Sequence, residues 1–123
     1  MNMDRTILVV DDSLSIRNLL QVVLQDAGYQ VLLAEDGKDA IKYLDQEGIR
    51  LLITDLHMPV MNGLELIKHV RQTDRYRYLP ILFLTTETKG EIKMEAKKAG
   101  ATGWITKPFS NEKLLQIINR VMR

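Results

Sequence analysis

Ile7-Leu8-Val9-Val10-Asp11-Asp12 is four apolar residues running straight into two carboxylates. A continuous apolar run this short, closed by charge, reads as a buried strand whose end reaches the surface. Three further runs have the same design. Leu51-Leu52-Ile53-Thr54 leads into Asp55, Ile81-Leu82-Phe83-Leu84 into Thr85-Thr86, and Trp104-Ile105-Thr106 into Lys107-Pro108. If all four are parallel strands of one sheet, their polar ends share its carboxyl edge, where open α/β folds bind ligands. Three carboxylates, a hydroxyl and an ammonium would then converge. Like charges that close repel, so the cluster calls for a hard divalent cation and suits metal-assisted phosphoryl chemistry.

Between the runs the spacing turns helical. Ile16, Leu19, Leu20, Val23, Leu24 and Ala27 form a stripe that Gly28 stops, and Val31-Leu32-Leu33-Ala34 is a further strand. Asp36-Gly37 opens a second helix carrying Ala40, Ile41 and Leu44, which Gly48 ends. Asn62 with Glu65 predicts a capping box before Leu66, Ile67 and Val70, and Thr88 with Glu91 repeats the signal before a helix reaching Ala99. Ser110 caps a last helix whose stripe is Leu114, Leu115, Ile117, Ile118 and Val121.

Five strand–helix units predict a flavodoxin-like (βα)5 fold: a doubly wound, five-stranded parallel sheet in the order 2-1-3-4-5, with helices on both faces. The 123 residues suit one domain, 1–123, with no output domain. Lys plus Arg (17) nearly balances Asp plus Glu (16), so no strong field recruits nucleic acid or an anionic membrane. The lack of cysteine excludes disulfides, thiolate zinc sites and a cysteine nucleophile. No apolar run approaches a membrane span and no signal peptide precedes the first strand, which predicts a cytoplasmic protein.

Each residue also has a plainer reading. Asp11-Asp12 could cap a helix, Asp55 could sit in a turn, Thr85 could be strand-end polarity and Lys107 a solvated lysine. The constellation, rather than any one member, favours a site. Trp104 alone reads as a core-edge aromatic, and His69 as a solvated helical residue.

Asp11-Asp12, Asp55 followed by Met58-Pro59 and Gly63, Thr85, and Lys107-Pro108-Phe109 resemble the receiver domain of two-component response regulators over the whole chain. The resemblance implies that Asp55 is a phosphoacceptor served by a sensor histidine kinase. It implies Mg2+, with Mn2+ as a substitute, held by Asp11, Asp12, Asp55 and the backbone carbonyl of His57. Lys107 would pair with Asp55 and then with the phosphoryl group, and Thr85 would donate to it. Trp104 stands where receivers carry their switch aromatic, so Thr85 and Trp104 become the switch pair. His57, Thr86 and Glu87 occupy positions that tune the lifetime of the acyl phosphate. A cis Lys107-Pro108 peptide is expected.

Met61-Asn62-Gly63-Leu64-Glu65-Leu66 and Ala99-Gly100-Ala101-Thr102-Gly103-Trp104-Ile105 resemble stand-alone, chemotaxis-type receivers. That implies a monomer which assists its own phosphotransfer and autodephosphorylation without being an enzyme in the ordinary sense. Its partners would be the kinase, a flagellar motor switch protein and a phosphatase. A phosphorelay intermediate or phosphate sink outside chemotaxis stays open. The face of the fourth helix, fifth strand and fifth helix would carry the output. Lys89, Lys93, Lys97, Lys98, Lys113, Arg120 and Arg123 make it either a solvated surface or a dock for an acidic segment. Three alternatives are weaker. A haloacid-dehalogenase-like phosphatase needs a second Asp where His57 stands. A flavin carrier would meet repulsion from Asp11-Asp12. A docking-only receiver would have lost some of the acids or the lysine.

Overall fold

A computed structural model describes residues 5–122; Arg123 of the basic surface lies outside them. The strands are β1 (Thr6–Val10), β2 (Gln30–Ala34), β3 (Ile49–Thr54), β4 (Ile81–Thr85) and β5 (Gly103–Thr106). The helices are α1 (Leu14–Asp26), α2 (Gly37–Ile41), α3 (Gly63–Gln72), α4 (Gly90–Ala99) and α5 (Asn111–Val121). All strand pairs are parallel and the order is β2-β1-β3-β4-β5, as the alternation predicts.

The period-2 geometry of a strand sends neighbouring side chains to opposite faces. Leu8, Val10, Leu52 and Phe83 pack on one face with Ala40 of α2, Leu66, Ile67 and Val70 of α3, and Ala96 of α4. Ile7, Val9, Leu51, Ile53, Leu82 and Leu84 pack on the other with Leu20 and Leu24 of α1 and Leu114 and Ile118 of α5. Both faces are covered, which is why these strands read as uninterrupted apolar runs.

Two caps form as read. Asn62 and Glu65 make a reciprocal capping box at α3, and the Ser110 side chain accepts from Lys113 N–H. Gly63 follows Asn62 because nothing larger fits: a Cβ there would lie 2.4 Å from the Asp55 carbonyl and 2.5 Å from the Phe83 ring. Gly100 ends α4 in the left-handed region (φ 109°), where a side chain would be strained.

The structure corrects two readings. The second helix does not run on to Gly48; after Ile41 it tightens into a 3-10 turn, Lys42–Asp45, that still buries Leu44. Its end is fixed from outside, since Arg75 donates to the Asp45 carbonyl and Tyr76 to that of Gln46. The Thr88–Glu91 capping box does not form. The N-cap of α4 is Lys89, with no side-chain cap, and its N–H goes to Glu87 instead.

The loop after β3 holds a backbone outlier. Val60 has φ 70° and Met61 N–H donates to the Pro59 carbonyl at 2.7 Å, a γ-turn of the rare, strained hand. A β-branched residue resists that region, and Val60 is 75% exposed, so packing recovers little. Val60→Gly is expected to raise the unfolding free energy in urea by about 1 kcal/mol, the relieved clash outweighing glycine's backbone entropy.

Candidate functional site

Parallel register brings the polar strand ends together. Val10 pairs with Thr54, and Thr85 with Thr106, so Asp11 and Asp55 follow the ends of neighbouring strands and Lys107 follows β5 on the same edge, across β4. Asp11, Asp12 and Asp55 each offer a carboxylate oxygen, and these lie within 4.8 Å of one another. The Lys107 ammonium reaches across, 2.8 Å from Asp11 Oδ2 and 3.2 Å from Asp55 Oδ2. Among the sequence-predicted residues, Asp11, Asp55 and Thr85 are buried, Asp12 and Thr86 are exposed, and Lys107 is nearly covered.

Backbone donors aim the acids. Asp55 Oδ1 accepts from Leu56 N–H at 2.7 Å and from His57 N–H at 3.4 Å, while Asp11 Oδ1 accepts from Ser13 N–H at 2.9 Å. Ser13, rather than either acid, caps α1. Each buried carboxylate thus spends one oxygen on the backbone and turns the other to Lys107. Burial pushes the Asp11 carboxyl above its usual range, against the hydrogen bonds from Lys107 and Ser13. Burial also opposes the Lys107 charge, but the hydrogen bond to Asp11 and the charges of Asp11 and Asp55 win and raise it.

Thr85 Oγ1 accepts from Glu87 N–H at 3.2 Å, which leaves its own proton free to donate elsewhere. Glu87 Oε1 takes the Lys89 N–H at 3.1 Å and Oε2 lies 3.3 Å from His57 Nε2. Those two contacts, the Lys89 N–H first, hold the Glu87 carboxyl below its usual range. His57 therefore stands at the mouth of the site, bridged to the β4–α4 loop. Trp104 is half-buried on β5, its ring 5.7 Å from that of Phe83 and under the Lys93 ammonium at 5.6 Å. Its Nε1 is buried without a hydrogen-bond partner among the described residues. The Lys107-Pro108 peptide is cis, as expected.

Sequence reasoning missed two supports. Arg17 Nη1 donates to the Asp11 carbonyl at 2.7 Å, fixing the β1–α1 turn, and Glu87 ties Thr85 to the start of α4. The Arg17 contact spans six residues and depends on the turn geometry, whereas the Glu87 contacts are two-residue side chain–backbone turns whose spacing, Thr85 to Glu87 to Lys89, is the signal that could have found them.

The oxygen-only donor set fits a hard divalent cation: three carboxylates face one ammonium, leaving negative charge for a bound ion to balance. The model of the response regulator receiver domain family matches residues 7–119. The chemotaxis protein CheY-3 of Vibrio cholerae is 36% identical over 126 residues, covering 98% of this chain and 97% of that protein. The solved CheY4 of V. cholerae is 49% identical with a TM-score of 0.90, covering 94% of this chain and 97% of that one. The receiver domain of sensor histidine kinase PA1611 from Pseudomonas aeruginosa, solved with magnesium coordinated in its active-site cleft, is 25% identical with a TM-score of 0.88. That match covers 96% of this chain and 97% of that one.

Ions that bind the folded acids stabilise the fold. Mg2+ at tenfold its dissociation constant is expected to add about 1.4 kcal/mol, a melting shift of a few degrees in calorimetry. Asp12→Asn removes that shift, and EDTA reverses it.

Proposed function

The chain belongs to the response regulator receiver family, the phosphorylation-activated switches of two-component signalling, and on that premise we propose that Asp55 is its phosphoacceptor. The observation that carries the reading is the Lys107 bridge between Asp11 and Asp55, which orients and partly neutralises the acid that must attack. A histidine kinase supplies the phosphoryl group. An Asp55 oxygen bonds to phosphorus as the P–N bond to the donor imidazole breaks, and that nitrogen leaves with its electron pair. Little nucleophilicity is needed because the transition state is loose.

Asp11, Asp12, Asp55 and the His57 carbonyl would hold Mg2+, for which Mn2+ can substitute; the ion supplies charge neutralisation for the phosphoryl oxygens. Lys107, already at the Asp55 carboxylate, transfers one ammonium hydrogen bond to the phosphoryl group. Thr85 donates its free proton to another oxygen, and doing so draws it from its resting place beside Glu87. Trp104 then turns into the space left, and the face of α4, β5 and α5 changes shape. Water later cleaves the acyl phosphate in the protein's own site, with His57, Thr86 and Glu87 controlling its access.

Chemotaxis is the pathway best supported. Identity to the solved chemotaxis protein CheY4 is 49%, against 25% for the kinase-attached receiver at nearly equal TM-score. A flagellar motor switch protein is then the output partner and a dedicated phosphatase the off-switch. An acidic segment of the output partner suits the groove of about 290 Å3 between α4 and β5, which Lys93, Lys97 and Trp104 line. A haloacid-dehalogenase-type reaction lacks its general acid, since His57 holds that position. The protein acts in the cytoplasm; no helix among the described residues is long and apolar enough to cross a membrane.

Incubation with acetyl phosphate and Mg2+ is expected to give one phosphoryl adduct by intact mass, with a change in Trp104 emission. Asp55→Asn and EDTA should each abolish both; an adduct that survives Asp55→Asn would place the acceptor elsewhere. His57→Ala opens the mouth of the site, and the adduct is expected to decay roughly two- to tenfold faster by mass or emission.

A further inference from the structure

A concavity of about 890 Å3 lies at the pole opposite Asp55. Its wall is built from the amino ends of the strands: Arg5 before β1, Tyr29 before β2, Arg50 in β3, and Tyr78 before β4, with Arg75 from the turn after α3. β1 and β4 are five residues long, so about 17 Å of sheet separates this groove from the phosphorylation site.

Two of its arginines, Arg5 and Arg75, are oriented by groups that do not neutralise them. The Arg5 guanidinium lies 4.3 Å over the Tyr29 ring and donates to the Ala27 carbonyl at 3.4 Å. Tyr29 is itself fixed by a 2.8 Å hydrogen bond to Asn119. Arg75 donates to the Asp45 carbonyl at 2.6 Å, and the carboxylate it pairs with among the described residues, Glu47, is 3.9 Å away and 88% exposed. An exposed pair of that length contributes little. Among the described residues the lining therefore sets three arginines against one glutamate, in a chain whose formal net charge is only +1. Tyr78 stands beside it 89% exposed. Arginine and tyrosine around a concavity are the side chains that dominate protein interfaces.

We propose that this groove docks an acidic protein segment through guanidinium–carboxylate pairs on Arg5, Arg50 and Arg75, with Tyr78 covering the contact. The site shares no residue with the Asp55 pocket or with Trp104 and the α4–β5 groove. Docking is consequently independent of phosphorylation, and one partner can hold the receiver in place while another reads its state. A peptide fits better than a nucleic acid, because fixed planar forks match carboxylates and the chain carries no strong basic field.

The test is a 15N-resolved titration of the whole chain with a Glu-rich peptide of about twelve residues carrying one Trp. Shifts are expected at Arg5, Tyr29, Arg50, Arg75 and Tyr78, with equal affinity with and without beryllofluoride and Mg2+. Arg50→Glu with Arg75→Glu should weaken binding roughly tenfold or more, while Lys93→Glu with Lys97→Glu leaves it intact. A matched melting temperature shows that the groove variant is folded; if it is not, Arg50→Gln with Tyr78→Ala replaces it. Shifts confined to α4, β5 and α5, an affinity at the groove residues that changes with beryllofluoride, tighter binding of oligothymidine than of peptide there, or no saturable shift at those residues would each overturn the proposal.

Discussion

The architecture turns on one lysine. Lys107 Nζ spans Asp11 and Asp55, the ends of two adjacent strands, from a position beyond β5 on the far side of β4. That reach exists only if β1, β3, β4 and β5 are parallel and in register at their carboxyl ends. The arrangement is costly in the folded state. A carboxyl raised by burial, like Asp11, holds its proton more tightly folded than unfolded. Stability therefore falls as pH rises from the ordinary carboxylate range through the raised folded value. For Lys107 the folded value is also raised, so its contribution is present at neutral pH and is lost only as pH rises through that folded value. At neutral pH the lysine offsets part of what the buried acid costs. The remaining negative charge is what a hard divalent cation would balance.

Much of this was legible in the sequence for a simple reason. Strands covered on both faces must be apolar throughout, so their polar ends stand out, and parallel register then dictates which ends meet. Asp11, Asp55, Thr85 and Lys107 were found that way. Local signals competing with tertiary ones were less readable. Thr88 and Glu91 have the spacing of a capping box, yet Glu87 takes the Lys89 N–H and is itself engaged by His57, a residue of another loop. Leu44 has helical periodicity, but carbonyls claimed by Arg75 and Tyr76 end the helix early. Val60 could not be read at all, because nothing in a valine announces a left-handed backbone.

The two ends of α4 are fastened very differently. Its carboxyl end is clamped: Arg71 Nη2 donates to the Gly100 carbonyl at 2.6 Å, and Nη1 to the Arg77 carbonyl at 3.1 Å. Its amino end has no side-chain cap and is tied through Glu87, whose N–H rests on Thr85 Oγ1 and whose carboxylate holds Lys89 N–H. On the proposed reading, any pull on Thr85 loosens that tie while Arg71 keeps the far end fixed. The helix then has a pivot at Gly100 and a free end nearest the chemistry.

Trp104 supplies the second half of that argument. Its ring is wedged between Phe83 of the core and Lys93 of α4, so a displaced α4 changes both contacts at once. Its indole N–H is buried with no acceptor among the described residues. A buried donor left unpaired costs about 1–3 kcal/mol. That cost belongs to the present packing alone, and any rearrangement that gives the N–H an acceptor recovers it. The larger ring is harder to bury than the phenol or phenyl usual at this position, but its misplaced donor biases it against staying where it is. On the proposed reading, steric bulk and an unsatisfied donor act on Trp104 in opposite directions, and a phosphoryl group at Asp55 has to supply only the difference between them.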